Sequence, residues 1–211
     1  MRTLALLIAL ATPLPAFSGA QQYEELADSV RNRLSLQVSD QAVPAMHFRS
    51  SEDAQRWLAA MDARLEKRIP DRKQRLELLR TVHYEATRAR LDPQLVLGVI
   101  EVESGFRKYA VSRAGARGYM QVMPFWVRMI GQPGHNLFHL RTNLAYGCAI
   151  LRFYLDVERG DYFRALGRYN GSLGQPDYPA RVLKALKARW ALEADPVFSS
   201  RNFKSTRPGL S

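Results

Sequence analysis

The amino-acid sequence predicts an all-α protein. Apolar residues recur every three to four positions along most of the chain, and helix-starting and helix-ending residues bound these stretches. No stretch alternates apolar and polar residues in the way that a half-buried strand does. The 211 residues, 46% of them hydrophobic, are enough to build one sizeable core with a small appendage.

Residues 1–20 have the pattern of a secretory signal peptide. A short positive start precedes an apolar run at 4–11 that is too short to cross a membrane. Pro13 and Pro15 argue against the alternative, an ordinary buried first helix. Small residues end at Ala20, where we expect cleavage. The pattern predicts a periplasmic protein, secreted across the inner membrane, with no transmembrane span.

Residues 21–75 are predicted to form an N-terminal helical extension. Spacings of three to four residues indicate a weak helix over 21–39. A linker containing Pro44 follows, and a stronger helix then begins near Ser51 and ends before Pro70. The sequence assigns no activity to this extension, and docking to a cell-envelope complex is one role open to it.

Residues 76–195 are predicted to form the main helical domain. Asp71 is suited to cap a helix that runs to about Arg90, and Asp92-Pro93 begins another that ends at Gly105. Later helices are predicted over 118–130, 140–158, 161–168 and 179–193. The tail 196–211 is rich in Ser, Arg and Pro, and we expect it to be disordered.

The charge of the chain and its single cysteine limit the possible partners and chemistry. A formal net charge of +11 implies an acidic partner. For an exported protein the available anions are wall polymers with peptide carboxylates or membrane headgroups, so we expect no nucleic acid partner. Cys148 has no second cysteine to pair with, and its apolar surroundings predict a buried thiol.

Two glutamates lie two residues apart on the helix that ends at Gly105. Advancing 100° per residue from Leu95 places Glu103 at about 80°, inside the apolar arc of this helix. The same wheel places Glu101 at about 240°, on the opposite face. Glu101 is therefore predicted to be a solvated surface charge, whereas Glu103 lies on the apolar face.

A carboxyl group on an apolar face is costly to ionise, so burial raises its pKa and lets it act as a general acid near neutrality. The alternative is a buried ion pair between Glu103 and Arg107 or Arg117. No Asp or Glu follows Glu103 until Asp156, so a local partner for two-carboxylate glycoside hydrolysis is lacking. The pattern favours one carboxyl doing two jobs on an anionic polymer, among the basic residues Arg107, Lys108, Arg113, Arg117, Arg128, Arg141 and Arg152.

Three stretches of this chain resemble a known family. ESGF at 103–106 with AVSRAGARGYMQVMP at 110–124, NLAYGCAILRFYL at 143–155 and ALGRYNGSLG at 165–174 are similar to the soluble lytic transglycosylase (SLT) domain, a relative of goose-type lysozyme. The resemblance covers about residues 85–190. It implies a lysozyme-like helical fold in which one glutamate is first acid and then base, and that glutamate matches Glu103.

The resemblance also implies a set of substrate-binding residues. Ser104 and Ser112 match hydroxyls that lie near the carboxyl or the sugar, and Gln121 and Met123 match residues that line the glycan groove. Tyr169 and Asn170 match a pair that faces the glutamate, and Tyr178 matches a tyrosine near the end of the domain. Duller roles stay open for three of them: Met123 as core, Ser112 as a turn cap and Tyr178 as a packing tyrosine. Two departures, Tyr119 in place of leucine and YNGSLG in place of YNAGPG, put subsite preference in doubt.

The resemblance implies a peptidoglycan lytic transglycosylase. Such an enzyme cleaves the β-1,4 bond between N-acetylmuramic acid and N-acetylglucosamine without water, leaving 1,6-anhydro-muropeptides. We expect a monomer that needs no metal or cofactor. The alternatives are a hydrolytic muramidase and a non-catalytic wall-binding or scaffold module.

Overall fold

The computed structural model describes residues 21–40, 42 and 44–192, so the predicted signal peptide and the predicted tail lie outside the described residues. The helices are α1 (Asp28–Val38), α2 (Ser51–Leu65), α3 (Arg72–Arg88), α4 (Pro93–Ser104), α5 (Phe125–Ile130), α6 (Leu140–Val157), α7 (Tyr162–Asn170) and α8 (Asp177–Ala185), followed by a π-helical turn at Leu186–Trp190. Within the described ranges, β-structure is limited to isolated bridges that Arg117 makes with Val111 and Val122. The all-α prediction is confirmed.

Helix α4 lies at the centre of the domain. It packs against α3, α8 and the π-helical turn, and its apolar side chains are almost completely buried. Helix α6 forms the second central element and contacts α1, α3 and α7. A helix that is apolar on most of its surface has to be surrounded in this way to remain in water. The last turn of α4, which carries Glu103, is therefore held firmly by the neighbouring helices.

The predicted start and stop signals of α3 and α4 are confirmed. The Asp71 side chain accepts hydrogen bonds from the backbone N–H groups of Lys73 and Gln74, which would otherwise lack partners at the helix start. Asp92 caps α4 in the same way, with Pro93 in the first turn. Gly105 ends α4 in the left-handed conformation, with φ of 58°.

The N-terminal extension differs from its prediction at the start. Residues 21–27 are not helical, and α1 begins only at Asp28, where no side chain caps it. The segment runs along the domain because Gln21 and Leu26 are buried there. Apolar side chains of α1 and α2 join one continuous core with those of the main domain. The extension and the main domain therefore share a hydrophobic core.

The predicted helix over 118–130 is wrong in its first half. Residues 118–124 form a loop, and only Phe125–Ile130 is helical. Gly118 (φ 77°) and Gln121 (φ 50°) have left-handed backbone conformations that a helix excludes. A side chain at Gly118 would lie 2.4 Å from Nδ2 of Asn143. The loop is shaped by this close approach to α6, which the local periodicity does not encode.

The Asn143 side chain holds this loop to α6. It is fully buried and accepts a hydrogen bond from the Met120 N–H at 2.8 Å. It also donates to the carbonyls of Arg117 and Leu137, at 2.8 and 2.9 Å. One side chain thus satisfies a main-chain group of the loop, another just before the loop and a third in the segment that precedes α6.

Replacing Asn143 with alanine is expected to lower the free energy of unfolding by about 2–4 kcal/mol, because it leaves buried main-chain groups without partners. Asn136→Ala is the matched control, since its Oδ1 accepts a single exposed hydrogen bond from the Phe138 N–H. Urea unfolding measures both variants. A loss for Asn143→Ala no larger than that for Asn136→Ala would contradict this account of the loop.

Candidate active site

Glu103 lies on the last turn of α4, and its carboxyl group is held by two residues from α7 and α8. The Tyr178 hydroxyl donates to Oε1 of Glu103 at 2.6 Å. The Asn170 side chain hydrogen-bonds the same carboxyl group. Burial raises the pKa of Glu103 to about 7, against the smaller opposing effects of Tyr178, Arg181 and Asn170. A carboxyl with this pKa is largely protonated just below neutrality and can give up its proton at little cost.

The cation near Glu103 is Arg181, and sequence reasoning missed it. Its charge lowers the pKa of Glu103, and its guanidinium group lies 6.0 Å from the centre of the Tyr178 ring. The two arginines considered as ion-pair partners are engaged elsewhere: Arg107 donates to the Ser104 carbonyl, and Arg117 lies over the Phe138 ring. The alternative of a buried ion pair with either of them is therefore wrong.

Other basic residues of the acid-free stretch also serve the fold. Arg141 pairs with Glu85 and Asp40, and Arg152 pairs with Asp156. Among the described residues, the positive charge that acts on the acid comes from Arg181 on α8, far along the chain. The signal that could have found Arg181 is the sequence YPAR, which places this arginine one helical turn after Tyr178.

Glu101 is not the solvated charge that the helical wheel predicts. Its side chain is only 8% exposed and forms ion pairs with Arg68 and Arg189. It also accepts a hydrogen bond from the indole N–H of Trp190 at 2.8 Å. The wheel considered α4 alone, whereas the π-helical turn packs over this face of the helix. Glu101 is a paired structural charge that ties α4 to the chain segment after α8.

The tyrosines and the asparagine that match the family pattern have different contacts. Tyr178 and Asn170 touch the carboxyl of Glu103 directly. Tyr169 is fully buried and donates its hydroxyl to the Met120 carbonyl at 2.7 Å, although Glu103 still acts on it electrostatically. The structure therefore places two of the three against the acid and uses the third to hold the loop.

The remaining predicted binding residues lie in or against the loop. Ser104 is buried, and its single hydroxyl hydrogen has the Tyr119 carbonyl at 2.7 Å and the Ile100 carbonyl at 3.1 Å as acceptors. Ser112 accepts from the Ala116 N–H, which is the turn cap considered as its duller role. The Gln121 side chain donates to the carbonyls of Ala110 and Gly118. Met123 is half-buried against the core. Their binding of sugar stays a prediction.

Two residues outside the predicted set also shape the loop. Met120 is fully buried against α6, and a side chain at Gly147 would lie 2.3 Å from its sulfur. The glycine in NLAYG and the methionine in GYMQ therefore fit one another. Tyr119, one of the two departures, points into the core, where the groups acting on it are Glu77 and Tyr109. It is not among the groups that act on Glu103.

A cavity of about 560 Å³ opens beside the acid. It is lined by Asn170, Ser172, Gln175, Asp177, Tyr178, Ala180, Arg181 and Lys184. Ser172 belongs to the YNGSLG loop, which differs from the YNAGPG of the family pattern. Its buried hydroxyl has no hydrogen-bond partner within the described part of the chain. Arg181 and Lys184 are exposed there, opposite one acid, Asp177. Most of the lining residues carry a polar or charged group, and the two cations outnumber the one acid.

Comparison with known proteins assigns the chain to a family. Residues 80–187 match the family described as Transglycosylase SLT domain. The chain belongs to this family. With the observed helices, this membership confirms the lysozyme-like fold of the SLT domain. The match includes Glu103, the loop and the cavity, and it leaves out α1 and α2.

Relatives of the SLT domain chain carry related names. The protein named Transglycosylase from Enterobacteria phage PRD1 is 34% identical over 116 residues, which are 52% of this chain and 43% of the relative. Membrane-bound lytic murein transglycosylase C of Haemophilus ducreyi is 38% identical over 85 residues, 36% of this chain and 22% of that one. The protein of the same name from Actinobacillus pleuropneumoniae serotype 5b is 50% identical over 48 residues, 23% and 13% of the two chains. The chain thus spans less than half the length of these relatives.

Two further findings concern membrane-spanning helices and the single cysteine. In residues 21–40, 42 and 44–192, no helix combines the length and apolar character that crossing a bilayer requires. Cys148 is buried, and burial raises its thiol pKa well above the ordinary value. The predicted buried thiol is confirmed.

The two glutamates of α4 are expected to respond oppositely to an amide. The pKa of Glu103 is 4.5 when unperturbed and about 7 in the fold, so between these values the folded state binds more protons than the unfolded state. The contribution of this carboxyl to stability is complete below pH 4.5 and is lost as the pH rises through 7. At pH 8, Glu103→Gln should therefore raise the free energy of unfolding by roughly 1–3 kcal/mol.

Glu101→Gln is the matched control on the same helix. It removes the charge that binds Arg68 and Arg189 and should lower the free energy of unfolding by roughly 1–3 kcal/mol. Thermal or urea unfolding at pH 5 and pH 8 measures both variants. If the stability of Glu103→Gln relative to the wild type did not rise between pH 5 and pH 8, a raised pKa of Glu103 by desolvation would be ruled out.

Proposed function

We propose that this protein is a lytic transglycosylase of the periplasm that cleaves peptidoglycan glycan strands. It breaks the β-1,4 bond between N-acetylmuramic acid and N-acetylglucosamine and leaves a 1,6-anhydro end. The observation that carries the proposal is a single carboxyl, Glu103, whose pKa of about 7 is set by burial against Tyr178 and Arg181. Family membership and the names of the relatives support it.

Glu103 performs the first step as an acid. Because Tyr178 donates to Oε1, the transferable proton is carried by Oε2. This proton passes to the glycosidic oxygen while the bond between that oxygen and C1 of the muramic residue breaks. The developing positive charge on the sugar is stabilised by the carboxylate that forms. Tyr178 and Arg181 both favour the charged carboxylate, since each lowers the pKa of Glu103.

Glu103 performs the second step as a base. The C6 hydroxyl of the same sugar is already tethered close to C1, so it attacks at a high effective concentration. Its oxygen bonds to C1, and its proton passes to Glu103, which returns to its starting form. No water is consumed, and the reaction needs no cofactor.

The charged and polar residues that line the cavity support an anionic, sugar-rich substrate. Arg181 and Lys184 can face the carboxylates of the strand, and the free hydroxyl of Ser172 offers a hydrogen bond inside the cavity. Asn170 lines the same cavity and contacts Glu103, so a sugar bound there lies beside the acid. Ser172 replaces a residue of the usual loop, which supports a subsite preference particular to this chain.

The division of the chain follows from this function. In our proposal, residues 1–20 are the export signal and 76–195 form the catalytic domain of a monomeric enzyme. Residues 21–75 brace this domain through the shared core and expose a surface for a cell-envelope partner.

A hydrolytic muramidase is the second candidate, and one observation favours it. Asp177 lines the cavity and could direct a water molecule to C1, as the second carboxylate of an inverting glycosidase does. In that case the product would be a reducing sugar. The identity of the released fragments therefore separates the two functions.

Digestion of purified peptidoglycan sacculi tests the proposal. We expect muropeptides that are one water lighter than hydrolytic products and that borohydride does not reduce. Glu103→Gln should abolish their release, because an amide has no proton to give, whereas the Glu101→Gln control should retain activity while folded. Asp177→Asn should leave the anhydro product unchanged. Reducible products that disappear with Asp177→Asn would establish the muramidase instead.

A further inference from the structure

Gln21 reaches the loop at 118–124 from the N-terminal extension. Its side-chain oxygen accepts a hydrogen bond from the Met123 N–H at 3.0 Å, and its side-chain nitrogen donates to the Gln121 carbonyl at 3.3 Å. The residue is only 5% exposed. One carboxamide therefore bridges two main-chain groups that lie two residues apart.

These two main-chain groups form a short open edge of the loop. Val122, between them, uses its own N–H and carbonyl to pair with Arg117 on the other side. The C=O and N–H of one trans peptide group point in opposite directions, so the Gln121 carbonyl and the Met123 N–H, which share peptide groups with Val122, face away from Arg117. An edge with one acceptor and one donor requires a partner that carries both functions.

The proposed substrate carries such a partner on every sugar. An acetamido group has one carbonyl oxygen and one N–H, the two functions that the Gln21 carboxamide supplies. We propose that the Gln121 carbonyl and the Met123 N–H form a binding site for a sugar acetamido group. We further propose that Gln21 fills this site in the free protein, so that residues 21–25 act as a self-inhibitory strap. This inference rests on the proposed glycan-cleaving function.

The site is connected to the acid through α7. The Gln21 amide also hydrogen-bonds the Tyr169 hydroxyl, which holds the Met120 carbonyl of the same loop. The next residue, Asn170, contacts the carboxyl of Glu103. An acetamido group in place of Gln21 would therefore lie two side chains from the reacting bond. This spacing suits a neighbouring sugar or the reacting sugar itself.

The strap is weakly held apart from Gln21. Tyr23 is 67% exposed and contacts the Phe125 ring only through its edge, with the ring centres 5.8 Å apart. Glu24 pairs with Arg168 at 3.5 Å on a partly exposed surface, where such pairs contribute about 0–1 kcal/mol. The first core contact is Leu26. Residues 21–25 can thus leave the loop while Leu26 and α1 stay in place.

Binding of a tetramer of N-acetylglucosamine to the purified protein tests the inference. If Gln21 competes for the acetamido site, Gln21→Ala should tighten binding by about 3- to 10-fold, because the open site no longer has to be vacated first. Gln22→Ala is the matched control, since Gln22 is the exposed neighbour of Gln21. This variant should bind the tetramer with the affinity of the wild type. The tetramer of unacetylated glucosamine should not distinguish Gln21→Ala from the wild type.

A fluorophore on the strap reports its displacement. Cys148 is buried, so a Gln22→Cys variant accepts the label at one exposed position. The acetylated tetramer should lower the anisotropy of this label, and the unacetylated tetramer should not. The strap proposal would be wrong if the acetylated tetramer bound Gln21→Ala no more tightly than the wild type and left the anisotropy of the label unchanged. That result would not affect the proposed function. Absence of binding to both proteins would instead count against the proposed function and the inference together.

Discussion

The structure depends on one constraint, which is the removal of a carboxyl group from water at the end of an apolar helix. Helix α4 is enclosed by α3, α8 and the π-helical turn, so a side chain on its inner face loses solvent whatever its chemistry. Burial alone would fix Glu103 as a permanently neutral acid. Tyr178, Arg181 and Asn170 counteract burial, and the pKa remains near 7. The acid is thereby stable in either protonation state, which a group that is first acid and then base requires.

The loop at 118–124 is the second element that this arrangement needs. A loop that approaches a buried acid cannot rely on water to satisfy its backbone, so side chains from the helices do so. Asn143 binds the Met120 N–H and the adjoining Arg117 carbonyl, while Ser104 and Tyr169 each bind one carbonyl of the loop. Several residues that look like sugar ligands by position are therefore braces of the loop. Such a brace affects the reaction indirectly, through the position of main-chain groups such as the Gln121 carbonyl.

The sequence predicted those features that depend on local chemistry. Asp71, Asp92 and Gly105 mark helix ends because capping involves residues within one turn of each other. The inner position of Glu103 follows from the period of α4 alone. Pattern reasoning reached the family as well, because the motifs of the loop and of α7 are distinctive in combination.

The features that it missed are set by contacts between distant segments. Glu101 is paired because the chain after α8 returns over α4. Residues 118–124 are apolar enough for a helix, yet contact with Asn143 and Gly147 imposes a loop. Gln21 stands at the start of a weak helical pattern, but it is not helical, and its side chain bonds to a loop about a hundred residues away. Single-element arguments do not include partners of this kind.

The ionisation of Glu103 is the property on which the catalytic argument turns, and it can be measured directly. Protein labelled with ¹³C at the side-chain carboxyl of glutamate gives a resonance for Glu103 that the Glu103→Gln variant identifies by its absence. Its chemical shift should follow a single titration with a midpoint near 7, well above that of an exposed glutamate. A midpoint at or below 4.5 would mean that Glu103 is an ordinary paired carboxylate and would contradict the account.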